Sequence, residues 1–163
     1  MGVKIRLTIN GTPGEFDVEP GMILLDLLRA SGFKSVKKGC DGASCGSCTV
    51  LMDGRAVLSC GILAAHANGC AIQTLEGLGS DLQLDPVQKA FLDGNAFQCG
   101  FCAPGLIMST RELLDRYDSL SREQIRKHLS GNLCRCTGYE AQISAVEKLF
   151  EQRKGGVQDV REP

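Results

Sequence analysis

The stretch KKGCDGASCGSCTV, residues 37–50, sets three cysteines and three glycines into the positions from Gly39 to Cys48. Thiols this close together, separated by residues with little or no side chain, mark a loop that wraps a group bound through sulfur. Cys60 completes the pattern Cys40-x4-Cys45-x2-Cys48-x11-Cys60. Gly39, Gly42 and Gly46 are expected to take positive φ and turn amide N–H groups toward anionic sulfur. Such dipoles stabilise negative charge and tune a metal centre's potential.

The C-x4-C-x2-C spacing is that of plant-type [2Fe–2S] sites, held by four thiolates. Zinc, the usual occupant of four-cysteine sites, suits this glycine-rich loop less well. On the N-terminal side, Val3, Ile5, Leu7 and Ile9 alternate with Lys4, Arg6 and Thr8, a half-buried strand. Asn10-Gly11 signals a hairpin, and Phe16 and Val18 continue the pattern. Met22 to Leu28 reads as a short apolar helix closed near Gly32. On the C-terminal side, Thr49–Met52 and Ala56–Leu58 flank Asp53-Gly54, a second hairpin, and Ala71 to Leu75 reads as a last strand. The expected product is a small sheet crossed by one helix.

After Gly79 the periodicity becomes helical. Asp85-Pro86-Val87-Gln88 carries an N-cap, a proline at the first helical position and a glutamine at N3. Leu106 to Arg116 is helical. Ser121 to Gln124 forms a capping box ahead of Ile125 and Leu129, and Ile143, Val146, Leu149 and Phe150 mark a final helix. The predicted fold class is α+β: a β-grasp-like sheet domain over residues 1–78, a four-helix domain over 79–154, and a polar tail over 155–163. The boundary falls in the glycine-rich and polar stretch EGLGSDLQL.

The helical half holds a second thiol group: Cys99 and Cys102 in QCGFCAPG, Cys134 and Cys136 in NLCRCTGY. Each pair lies near a predicted helix start, where the helix dipole favours anionic sulfur. Brought together, they make a four-thiolate site for which spacing alone leaves zinc and iron–sulfur both open. Cys70 is the ninth cysteine and reads as a small buried hydrophobe. His66 and His128 lie outside the cysteine loops and read as surface or helix residues. Arg135, between two thiols, can offset their charge.

A net charge of −1 argues against nucleic acid or an acidic membrane surface as partner. No stretch approaches the roughly 20 apolar residues of a membrane span, and MGVKIRLTIN lacks the apolar run of a secretory signal, so a cytoplasmic location is expected. Nine cysteines in such a compartment point to metal ligation rather than disulfides. The sequence shows no Walker loop or dinucleotide fingerprint, and no paired carboxylates or Ser/His/Asp set, which favours a conductor of electrons over a site of bond-making.

Four motifs in order, GCDGASCGSCTVLMDG (39–54), LSC (58–60), QCGFCAPGLIM (98–108) and GNLCRCTGY (131–139), together resemble the small iron–sulfur subunit of the molybdenum hydroxylases: xanthine dehydrogenase, aldehyde oxidoreductase, carbon monoxide dehydrogenase and 4-hydroxybenzoyl-CoA reductase. The resemblance spans about residues 3–150. It implies two [2Fe–2S] clusters, the first in a β-grasp ferredoxin-like domain and held by Cys40, Cys45, Cys48 and Cys60, the second in a four-helix [2Fe–2S]-binding domain and held by Cys99, Cys102, Cys134 and Cys136. It further implies that Gln98 hydrogen-bonds the molybdopterin of a large subunit, that Cys136 contacts it, and that electrons pass on to FAD in a medium subunit, in a heterotrimer or its dimer. Gly46-Ser47-Cys48 stands where many relatives have Gly-Ala-Cys. A free-standing two-cluster ferredoxin and a zinc-stabilised interaction module are the competing readings, separated from the first by partner binding and by metal and sulfide content.

Overall fold

The computed structural model describes residues 2–80 and 82–155. Past residue 155 the expected polar tail lies outside them, as does Asp81 in the expected boundary stretch.

The N-terminal half is a five-stranded mixed sheet crossed by one helix. Strands β1 (Val3–Ile9) and β2 (Thr12–Val18) form an antiparallel hairpin. Its turn uses Asn10 at φ 50° and Gly11 at φ 80°, two left-handed residues whose twist matches the strands. After helix α1 (Leu24–Ala30) come β3 (Thr49–Met52) and β4 (Arg55–Leu58), joined by Asp53 at φ 49° and Gly54 at φ 77°. Strand β5 (Ala71–Gln73) runs parallel to β1 and antiparallel to β3, giving the order β2-β1-β5-β3-β4. Pro13, which has no amide proton to donate, sits on the edge strand β2. Ile5, Leu7 and Ile9 are buried with Leu24, Leu25 and Leu28 of α1. Each fully buried aliphatic chain contributes about 1.5–3 kcal/mol.

Several boundaries differ from the sequence reading. Val3, placed with the inward set, is exposed at the strand end. Helix α1 starts two residues later than the apolar run, because Met22 and Ile23 instead pair with the chain near Leu63: Ala64 N–H donates to the Met22 carbonyl and Ile23 bridges Leu63. The last strand ends at Gln73, and Leu75–Gly77 turns into a 3-10 helix.

The C-terminal half is four helices: α2 (Pro86–Asp93), α3 (Ala103–Arg116), α4 (Arg122–Leu129) and α5 (Glu140–Gly155). Both expected capping boxes form. Asp85 and Gln88 close the start of α2, and Ser121 and Gln124 that of α4. Phe91, Leu106, Leu113, Ile125, Leu129 and Ile143 fill a second core. α3 begins three residues earlier than expected, with Pro104 in its first turn. It also packs on β3 and β4, so this helix joins the two halves.

Candidate metal centres

The first thiol group lies in the loop between α1 and β3, with Cys60 supplied by a 3-10 turn after β4. Cys45 and Cys48 are buried, and Cys40 and Cys60 half-buried. Ser44 N–H donates to Cys40 Sγ at 3.4 Å. That bond, then the backbone and thiol of Cys45, then the Gly42 amide, lower the Cys40 thiol to about 6. Burial, and then the neighbouring Cys48, push Cys60 up to about 11. The Cys45 thiol thus acts on Cys40 and the Cys48 thiol on Cys60.

Only one of the three loop glycines takes the positive φ that the spacing suggested. Gly46 alone of the three takes positive φ, at 70°, and Ala43 adopts φ 50° without being glycine. A Cβ on Gly46 would also collide with the Gly131 carbonyl from the helical half. Gly39 is needed for close approach: a Cβ there would fall 2.9 Å from Ser47 Oγ and 3.0 Å from Cys45 Sγ. Gly42 has open space around it. Buried Ser47, the departure from Gly-Ala-Cys, therefore packs its hydroxyl against Gly39.

The second group converges from two segments. Cys102 is the N-cap of α3, and Cys134 and Cys136 precede α5. Cys99 Sγ and Cys136 Sγ are 3.6 Å apart and exposed, whereas Cys102 and Cys134 are buried. Burial, and then Cys134, push Cys102 up to about 12, outweighing the lowering by its own backbone at the helix start. Burial acts upward on Cys134 too, but hydrogen bonds led by the Thr137 hydroxyl and the Cys136 amide outweigh it and lower this thiol. A bond from the Phe101 amide, then the Cys136 thiol, lowers Cys99, and the same contact with Cys99 raises Cys136. Exposed Gln98 adjoins the outward pair, and Phe101 and Leu133 flank the site, 45% and 54% exposed.

All four thiols of the second group, with Cys45 of the first and Arg135, line one cavity of 170 Å³. Leu133 N–H donates to the Cys45 carbonyl at 2.7 Å, which leaves one peptide unit between a thiol-bearing residue of the first group and Cys134 of the second. Beside it, buried Asn132 donates to the Gly46 carbonyl at 2.9 Å and Thr49 Oγ1 at 3.1 Å, and accepts from Ser109 Oγ at 2.7 Å. Lys37 reaches across to the Gly100 carbonyl at 3.3 Å and lies 5.0 Å from the Phe101 ring centre. Cys70 is half-buried; burial, then a hydrogen bond with Asp53, raises it. His66 and His128 are exposed, and His128 lies beside the Tyr117 ring.

These donors fit [2Fe–2S] clusters. Among the described residues no three His, Cys, Asp or Glu side chains converge on one ion position. Cys99 and Cys136 stand as a close pair at 3.6 Å, and a [2Fe–2S] cluster takes its four thiolates two to each iron.

Comparison with known proteins gives the same division. Residues 7–76 match the family model for a 2Fe–2S iron–sulfur cluster binding domain, and residues 74–147 that for a [2Fe–2S] binding domain. The chain is 49% identical over 146 residues to the xanthine dehydrogenase iron–sulfur-binding subunit of Escherichia coli, covering 88% of this chain and 92% of that one. It is 42% identical over 151 residues to the nicotinate dehydrogenase small FeS subunit of Eubacterium barkeri, covering 92% and 96%. A solved chain of quinoline 2-oxidoreductase from Pseudomonas putida 86 superposes with a TM-score of 0.89 at 44% identity, covering 95% of this chain and 98% of that one. Aldehyde oxidoreductase from Desulfovibrio gigas gives a TM-score of 0.89 at 36% identity, covering 99% of this chain and 19% of that longer one.

A β-grasp domain followed by a helical bundle, each with its own [2Fe–2S]-binding domain signature, defines an electron-transfer protein. The chain belongs to the family of iron–sulfur subunits of the molybdenum hydroxylases, and is thus one part of a multi-subunit oxidoreductase. Among the described residues no helix is long and apolar enough to cross a membrane.

The sequence named the eight thiols brought together here. It missed Asn132, Lys37, Thr137 and Gln142, whose partners lie across the fold or whose residue types are unspecific. Asn132 and Thr137 lie inside the GNLCRCTGY motif and Lys37 opens the KKGCDGASCGSCTV stretch, so a signal could have drawn notice there; Gln142 lies outside every motif.

Proposed function

We propose that this chain relays single electrons between FAD on a medium subunit and the molybdopterin centre of a large one, within a cytoplasmic heterotrimer or its dimer. In this reading residues 1–78 form one functional domain and 79–154 the other. Cys40, Cys45, Cys48 and Cys60 hold one [2Fe–2S] cluster; Cys99, Cys102, Cys134 and Cys136 hold the second. Each cluster, when bound, stores one electron, at a potential set by its surroundings.

The observation that carries the reading is the Leu133 N–H bond to the Cys45 carbonyl, which ties the backbone of one thiol group to that of the other at 2.7 Å. The chain's own residues do the rest. Asn132 and Lys37 fix the two halves at one separation, and burial of Cys45, Cys48, Cys102 and Cys134 keeps water from the space between. The exposed pair Cys99 and Cys136, with Gln98 beside it, offers the rim at which a pterin is met.

Anaerobically isolated protein is expected to hold about four irons with matching inorganic sulfide, to give two distinct reduced-cluster EPR signals, and to co-purify with two larger chains. Zinc without sulfide overturns the cluster assignment. Two clusters on a chain that binds no molybdopterin subunit overturn the relay in favour of a free-standing ferredoxin.

A further inference from the structure

A buried amide stands against the sulfur of Cys134. Gln142, in the first turn of α5, is 0% exposed. An amide placed there costs free energy unless it is hydrogen-bonded, and an apolar chain would fill the same space without that cost. Its partners are few. Gln142 Nε2 lies 2.7 Å from Thr137 Oγ1 and 3.9 Å from Cys134 Sγ, and Thr137 Oγ1 lies 3.1 Å from the same sulfur.

The direction of these bonds follows from proton counting. A threonine hydroxyl has two lone pairs and one proton. The Tyr139 amide donates to Thr137 Oγ1 at 3.3 Å and Gln142 Nε2 donates to it as well, which occupies both lone pairs. The hydroxyl proton then goes either to Gln142 Oε1, 3.0 Å away, or to Cys134 Sγ. A thiolate has no proton of its own and is a charged acceptor, so ligation at Cys134 turns the hydroxyl toward sulfur. The second Nε2 hydrogen of Gln142 adds the longer contact. Among the described residues, no other of the eight thiols receives a hydrogen bond from a side chain other than cysteine.

We propose that Gln142 is a positioning residue that, with Thr137, directs hydrogen bonds onto the Cys134 sulfur and raises the reduction potential of the helical-domain cluster. The reduced cluster carries one more negative charge than the oxidised one, and donors to its thiolates stabilise that charge. This inference rests on the reading that Cys134 is a cluster ligand.

The test is an EPR-monitored redox titration of the intact complex, wild type against Gln142→Leu and Thr137→Val. The helical-domain signal is the one that Cys102→Ser abolishes. Gln142→Leu is expected to move that cluster's reduction equilibrium about tenfold toward the oxidised form, ~59 mV for one electron, and to leave the ferredoxin-type signal in place. Thr137→Val is expected to do at least as much, and the double variant no more than the larger single, since both act along one chain of bonds. A helical-domain potential unmoved in both variants, or two clusters shifting together, overturns the proposal while leaving the relay intact. A wild type without a helical-domain signal overturns both. If Gln142→Leu does not accumulate, Thr137→Val decides alone by the same criterion.

Discussion

Glu76 shows how one side chain holds the entry to the first cysteine loop. Its carboxylate accepts from the Ser35 amide at 2.9 Å, the Ser35 hydroxyl at 2.5 Å and the Thr74 hydroxyl at 2.6 Å. Burial acts to raise its pKa, but these bonds outweigh it and hold the group below its ordinary value of 4.5. A depressed carboxylate adds stability above its unfolded pKa and loses it as pH falls through the folded value. Glu76→Gln is therefore expected to lower stability at pH 7 by about 1 kcal/mol, a small figure because the group is partly in water. Urea midpoints of the two proteins should converge as pH drops below 4.5; a gap that widens in acid would contradict the assignment. At this scale the sequence was legible where chemistry needs a fixed spacing, as in the eight thiols. It was not legible for Glu76, whose partner Ser35 lies 41 positions away and carries no signal of its own. Of the loop glycines, Gly46 takes its expected positive φ, but Gly39 was misread for a related reason: spacing suggests what a glycine permits locally, and Gly39 answers to atoms brought in by folding.

Between elements, α3 and the turn before α5 do most of the joining. Asn132 is 4% exposed and serves three partners: two on the cysteine loop side and Ser109 on α3. Asn132→Ala leaves the Ser109 hydroxyl without its acceptor, while the Gly46 carbonyl keeps the Thr49 amide and hydroxyl, an expected loss of about 1 kcal/mol. Faster hydrogen exchange at the Leu133 amide should accompany it, because that amide's bond to Cys45 depends on the same docking. Unchanged exchange would show that the Leu133 bond stands without Asn132. Hairpins and capping boxes were readable from sequence since both are local: Asn10-Gly11, Asp53-Gly54 and the pairs Asp85/Gln88 and Ser121/Gln124 fix their own geometry. Helix starts were less so. The first residues of α1 are drawn off by Leu63 and Ala64, a long-range pairing no periodicity reports.

The whole molecule has two separate apolar cores, one under the sheet and one among the helices; Cys48 belongs to the first and Cys102 and Cys134 to the second. Metal ligation couples to the order of the residues that supply it. Stripping the metal under reducing, anaerobic conditions is thus expected to speed amide exchange strongly over 37–48, 98–102 and 131–139, and little over Ile5–Ile9 or Ile125–Leu129. Uniform acceleration across the chain would mean that the cores depend on the metal as much as the loops do. The parallel pairing of β1 with β5 carries a consequence for synthesis. The sheet stays open until Gln73 has left the ribosome, by which time Cys40, Cys45, Cys48 and Cys60 have already emerged. The nascent chain therefore presents reactive sulfur to the cell before it owns a shelter for it, and its maturation depends on how quickly translation hands over the strand that closes the roof.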